Sequence, residues 1–135
     1  MTPPRVLVVD DNALNIELVA AVLGAAGFEV DAAPDAEAAV RRIEAARPDL
    51  ILMDIQLPDV DGMALTRRLK ADPATQGIVI VAFTAYAMRG DEKRMRAAGC
   101  DGYLAKPIDV ANFAAQVRAC LDAQASHPPG PPGPA

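Results

Sequence analysis

No apolar run in the sequence approaches membrane-spanning length, and the first residues lack the charged-then-apolar pattern of a secretory leader. Both absences lead to the expectation of a soluble, cytoplasmic protein. Cysteine is scarce: Cys100 and Cys120 form no C-x-x-C pair and have no clustered histidines, so zinc and thiol redox motifs find no support. Both are expected to be reduced thiols in or near the core. Positive charge is also in deficit, with 13 lysines and arginines against 18 aspartates and glutamates, a net charge of -5. That balance argues against a phosphate-backbone footprint, and no nucleic-acid or membrane partner is expected. Histidine occurs once, as His127 near the carboxyl end.

What is present is a chain of 135 residues, 52% of them hydrophobic, enough for one domain with a proper core. The central stretch is Asp49-Leu50-Ile51-Leu52-Met53-Asp54-Ile55-Gln56-Leu57-Pro58, an apolar run that suits a strand covered on both faces and delivers Asp54 to its end. Around it the chain alternates strand and helix. Arg5 to Val9 is a β-branched run that stops at Asp10-Asp11, and a helical pattern follows through Leu14, Leu18, Val22 and Ala25, ended by Gly27. Phe28 to Ala32 alternates apolar and polar residues as an edge strand does. Asp35 is an N-cap for a helix carrying Ala36, Ala39, Val40 and Ile43, ended by Pro48.

Beyond Asp54, Pro58-Asp59-Val60-Asp61-Gly62 reads as a loop and Met63, Leu65, Leu69 and Ala71 as a helix. Ile78 to Phe83 is a strand ending at Thr84-Ala85; a helix through Lys93, Met95 and Ala98 stops at Gly99. Gly102 to Ala105 is a short strand ending at Lys106-Pro107. The last helix is expected from about Asp109 to Ala123, with Val110, Phe113, Val117 and Leu121 at helical spacing. Strict alternation implies an open, mostly parallel sheet with helices on both faces. Residues 1–4 are then an extension, 5–123 the domain, and 124–135 a flexible Pro/Gly-rich tail.

Parallel strands bring Asp10, Asp11, Asp54, Thr84 and Lys106 to one sheet edge, where ligands of such folds collect. Three crowded carboxylates repel unless a cation neutralises them, and Mg²⁺ suits carboxylates together with a phosphate oxygen. Given a phosphoryl group, a carboxylate attacks phosphorus, a hydroxyl holds one oxygen and an ammonium balances charge. Asp54, Thr84 and Lys106 take those roles in turn.

Through Val8-Val9-Asp10-Asp11-Asn12, Leu52-Met53-Asp54-Ile55-Gln56-Leu57-Pro58, Asp61-Gly62, Thr84-Ala85 and Lys106-Pro107, the chain resembles the receiver domain of bacterial response regulators, the CheY-like superfamily. The resemblance covers about residues 5 to 123. It implies an α/β, flavodoxin-like (βα)5 doubly wound parallel sheet in strand order 2-1-3-4-5. It further implies that Asp54 accepts a phosphoryl group from a histidine kinase or histidine phosphotransfer protein, with Mg²⁺ held by Asp10, Asp11, Asp54 and the backbone carbonyl of Gln56. Thr84 and Tyr103 would form a two-state switch, and the Lys106-Pro107 bond is often cis in such domains.

The words around Asp54, with Met88-Arg89-Gly90-Asp91-Glu92 and Gly99-Cys100, are most similar to stand-alone regulators of the DivK type, though receivers of hybrid kinases share them. Output is expected through protein contact, on the fourth helix, fifth strand and fifth helix around Tyr103. Leu14 and Ile16 flank the first helix beyond one core stripe and are candidates for docking a helical histidine donor. Tyr86, two residues after Thr84, is expected to restrict water and prolong the phosphoryl form. An aspartyl phosphatase would want a second acid where Gln56 stands; a phosphorylation-independent binding module and an excised hybrid-kinase receiver remain as alternatives.

Overall fold

The computed structural model describes residues 3–85 and 89–126. The expectation for Tyr86 lies outside them, as do His127 and residues 127–135 of the tail expected from 124, whereas residues 124–126 continue the last helix. Among the described residues five strands and five helices alternate: β1 (Arg5–Val9), α1 (Ala13–Ala25), β2 (Glu29–Ala33), α2 (Ala36–Ala45), β3 (Leu50–Met53), α3 (Gly62–Ala71), β4 (Val79–Thr84), α4 (Arg89–Ala98), β5 (Gly102–Ala105) and α5 (Phe113–Ser126). The strands are all parallel and pair in the order β2-β1-β3-β4-β5.

Side chains alternate across the central strands, as the period of two requires. Val6, Val8, Leu50, Leu52, Val79, Val81 and Phe83 pack with Val19 and Leu23 of α1 and with Phe113 and Val117 of α5. Leu7, Val9, Ile51, Met53, Ile80 and Ala82 point the other way, against apolar residues of α2, α3 and α4. The sheet is therefore covered on both faces, which is why β1, β3 and β4 read as continuous apolar runs. The edge strands β2 and β5 are only partly covered.

Local signals set most boundaries. Asn12, Asp35 and Asp61 cap α1, α2 and α3 by accepting the N–H groups of Asn15, Ala38 and Met63. Gly27 and Gly99, with φ of 94° and 106°, end α1 and α4 in a conformation that favours glycine. After Gly27 the Phe28 N–H turns back to the carbonyl of Leu23 at 3.0 Å.

Two expectations need correction. The buried stripe of α1 is Val19 and Leu23, with Ile16 and Val22 half-buried beside them, whereas Leu14 and Leu18 are 75% and 41% exposed. The helix is apolar around most of its circumference, so spacing alone does not select the packed side. The last helix starts at Phe113, not near Asp109, because Asp109 opens a separate turn: its carbonyl accepts the Asn112 and Phe113 N–H groups and its carboxylate that of Ala111. Val110 consequently lies in that turn, 58% exposed, outside the apolar stripe it was expected to extend.

Gly62 fixes the loop after β3. A Cβ there would overlap the carbonyl oxygen of Asp54 and stand 2.9 Å from Cα of Ile55, so α3 begins directly against the backbone that carries Asp54. Gly62→Ala is expected to cost about 3 kcal/mol, the upper end of overpacking penalties. In contrast, Gly24→Ala, with nothing within 4 Å of the added carbon, is expected to stabilise α1 by roughly 0.5–1 kcal/mol. Urea unfolding of the two variants checks both signs.

Candidate acidic site at the carboxyl edge of the sheet

Register brings the site together. Val9 pairs with Met53, so the residues that follow, Asp10 and Asp54, leave neighbouring strands side by side. The Asp54 N–H donates to the carbonyl of Val9 at 2.9 Å and the Asp10 N–H to that of Ala33 at 3.0 Å, which holds both backbones in line with the sheet. On the other flank Thr84 pairs with Ala105, and the next N–H, of Lys106, donates to the Thr84 carbonyl at 2.9 Å. The Lys106-Pro107 bond is cis.

The carboxylates of Asp10, Asp11 and Asp54 offer oxygens that all lie within 4.8 Å of one another. Asp10 is fully buried, Asp54 nearly so, and Asp11 is exposed at the mouth. One oxygen of each buried acid is held locally: Oδ1 of Asp10 accepts the Asn12 N–H at 2.9 Å, and Oδ1 of Asp54 accepts the Gln56 N–H at 3.1 Å. The other oxygens face Lys106, whose Nζ stands 2.6 Å from Asp10 Oδ2 and donates to Asp54 Oδ2 at 3.1 Å. That ammonium also sits 5.1 Å from the centre of the Phe83 ring, which itself packs on Phe113 at 5.7 Å. The ring supports the charge from the apolar side.

Thr84 is buried at the end of β4, and with Asp11, Asp54, Gln56, Leu57, Pro58, Ala85 and Lys106 lines a cleft of about 260 Å³. Thus Asp10, Asp11, Asp54, Thr84 and Lys106 converge as expected, and Gln56 joins them. Tyr103 stands apart, 37% exposed on the edge strand β5 and paired in register with Ala82. Leu14 lies on the first turn of α1, while Ile16 is half-buried against the core. Phe83 was not singled out from the sequence, because within an apolar strand nothing distinguishes a ring that touches a lysine from one that only packs.

Among the described residues, three carboxylates against one ammonium give the site a formal charge of two negatives. Among the described residues, the Asp10 Oδ2 atom finds no hydrogen bond of good geometry despite its closeness to Lys106. A buried carboxylate oxygen in that condition is costly. The residues therefore fit a hard divalent cation of the Mg²⁺ kind, by charge and by their all-oxygen donors.

A profile described as the response regulator receiver domain matches residues 6–118. The chain belongs to the response regulator receiver family. This receiver is 42% identical over 119 residues to the polar-differentiation response regulator DivK of Brucella anthropi, covering 88% of this chain and 97% of that one. To the protein of the same description in Brucella ovis it is 41% identical over 116 residues, covering 86% and 94%. Among solved structures, a response regulator described as putative from Chloroflexus aurantiacus superposes with a TM-score of 0.84 at 32% identity, over 89% of this chain and 98% of that one. The receiver domain of the sensor histidine kinase PA1611 from Pseudomonas aeruginosa, solved with a magnesium ion coordinated in its active-site cleft, gives 0.79 at 35% identity, over 89% and 98%.

Burial pushes the Asp54 carboxyl above its ordinary pKa; the Gln56 N–H and the Lys106 ammonium oppose the shift, and Asp10 adds to it. Between the ordinary and the raised value the folded receiver holds a proton that the unfolded chain has released, so stability falls as pH rises through that window. Above it, ionised Asp54 is a standing cost of the fold. Asp54→Asn is therefore expected to raise the Tm of the metal-free receiver at pH 7, with a gain that shrinks as the pH falls through that window and is gone below the ordinary carboxylate range. Thermal unfolding of both proteins across pH, with chelator present, checks the sign.

Proposed function

We propose that this receiver is a single-domain response regulator that takes a phosphoryl group onto Asp54 from the phosphohistidine of a histidine kinase or a histidine phosphotransfer protein. The observation that carries the reading is the grouping of Asp54 with Asp10, Asp11 and Lys106 around one cleft. A mere strand-ending aspartate would have no use for a buried acid and a buried ammonium beside it.

Transfer forms a bond from an Asp54 carboxylate oxygen to phosphorus as the bond from phosphorus to the donor imidazole breaks. The imidazole nitrogen recovers the electron pair and takes up a proton. Asp54 must be ionised to attack, and the Lys106 ammonium at 3.1 Å favours that form against burial. The residues that would hold Mg²⁺ are Asp10, Asp11, Asp54 and the backbone carbonyl of Gln56; when bound, the ion neutralises charge on the phosphoryl oxygens. Lys106 balances the added charge from the other side, and the Thr84 hydroxyl donates to one phosphoryl oxygen.

The signal leaves by packing. Thr84 turns toward the phosphoryl oxygen, and Tyr103, exposed on β5, moves inward after it, which remodels the α4-β5-α5 face where a downstream protein target binds. Donor docking is assigned to the first turns of α1, where Leu14 is exposed and Ile16 borders it. These steps belong to the cytoplasmic half of a two-component system or phosphorelay.

Mixing the receiver with a phosphorylated histidine phosphotransfer domain tests this reading. Label should pass to the wild type and stay on the donor with Asp54→Ala. Transfer to Asp54→Ala at the wild-type rate would overturn it. The double variant Leu14→Ser with Ile16→Ser is expected to slow transfer about ten-fold, the cost of an interface anchor, while its labelling by a small phosphoryl donor stays unchanged. Equal transfer rates would remove the docking assignment alone.

A further inference from the structure

Asp59 reaches across the fold. Its Oδ1 accepts the N–H of Ala36 at 3.0 Å and its Oδ2 that of Glu37 at 3.1 Å, residues 23 and 22 positions earlier in the chain. Asp35 supplies the local cap, taking the Ala38 N–H at 2.7 Å, and its carbonyl takes that of Ala39 at 3.0 Å. The first four N–H groups of α2 are thus all engaged, two of them by a side chain from the loop after β3. These hydrogen bonds hold the exposed Asp59 carboxyl below its ordinary pKa.

The same loop is closed at its base, where α3 begins, with Asp59 between the paired residues. Gln56 forms an isolated antiparallel bridge with Asp61, and the Gly62 N–H donates to the Ile55 carbonyl at 2.8 Å. Between α2 and α3 lie clefts of about 340 and 380 Å³, both lined by Val40 and Arg68. Below those clefts the two helices share one apolar layer, on which Ile55 and Leu57 of the loop also pack, and the Asp59 carboxylate adds two hydrogen bonds from the loop to the first turn of α2.

We propose that Asp59 is a positioning residue for the cation site, which by fastening the loop to α2 holds the Gln56 carbonyl at the mouth of the acidic cleft. The inference rests on the reading of that carbonyl as a Mg²⁺ ligand. A carboxylate ligand finds an ion by turning its side chain, but a backbone carbonyl goes only where its loop goes. Loss of the α2 anchor therefore falls on the one member of the donor set that cannot compensate by itself. Partners that orient a ligand commonly contribute ten- to a hundred-fold to metal affinity, and about ten-fold is expected here.

The test is a Mg²⁺ titration of the whole protein by calorimetry, with the Gln56 amide followed by NMR, on the wild type, Asp59→Ala, Asp59→Asn and Asp35→Ala. Both alanine variants lose caps of the same helix and one negative charge, so both should lower Tm to a similar degree. Only Asp59→Ala should weaken Mg²⁺ binding about ten-fold and displace the Gln56 resonance. Asp59→Asn, which loses the charge but keeps one acceptor and is the milder variant should Asp59→Ala fail to fold, should fall between Asp59→Ala and the wild type. Unchanged Mg²⁺ affinity in Asp59→Ala would overturn the proposal. So would equal weakening in Asp35→Ala, which would make helix stability the cause, or an Asp59→Asn as weak as Asp59→Ala, which would make charge the cause. A wild type that does not bind Mg²⁺ would overturn the underlying reading of the site instead.

Discussion

An excess of two formal negative charges, among the described residues, at the end of a parallel sheet is the constraint around which this receiver is arranged. Asp10 and Asp54 are buried and paired with the Lys106 ammonium, and Asp11 stands beside them. Such a cluster opposes folding, since each buried acid gives up hydration that one lysine cannot replace in full. The raised pKa of Asp54 is the mark of that conflict. A divalent cation would relieve it, and under the proposed function the phosphoryl group would be held between the cation side and the lysine side of one cleft.

The rest of the fold keeps these groups where they conflict. In-register pairing of β1 with β3 sets Asp10 beside Asp54, and pairing of β4 with β5 sets Lys106 after Thr84. Two apolar layers, one shared with α1 and α5 and the other with α2, α3 and α4, make the strands too well packed to slip. The loop from Asp54 to Gly62 is pressed against the start of α3 at Gly62 and tied to α2 through Asp59. A second ion pair, Lys70 with Asp101 at 2.8 Å, is structural. Its lysine also donates to the Ile78 carbonyl, and Asp101 accepts the Ile80 N–H, which ties α3 to the start of β4.

How much of this was legible depended on whether a residue's role is written in its neighbours along the chain. Asp10, Asp54, Thr84 and Lys106 each end an apolar run, and parallel topology does the rest, so their convergence followed from sequence order. The strand order itself came from the family resemblance, because alternation alone permits several sheets. The packed side of α1 was not legible, since Leu14, Leu18, Val19, Val22 and Leu23 give apolar residues on nearly every side. Asp109 looked like the start of a helix because it begins a turn with the same hydrogen-bond pattern. The reach of Asp59 to Ala36 and the support of Lys106 by Phe83 are contacts between distant segments, and local pattern carries no trace of them.

The central claim is that Asp54 is a cation-dependent phosphoryl acceptor. Intact mass after incubation with acetyl phosphate, with and without Mg²⁺, on the wild type and Asp54→Ala, tests it most directly. The account predicts one added phosphoryl group on the wild type, absent without Mg²⁺ and absent from Asp54→Ala. An adduct that forms equally on Asp54→Ala, or no adduct together with no response to a beryllium fluoride mimic, would contradict it.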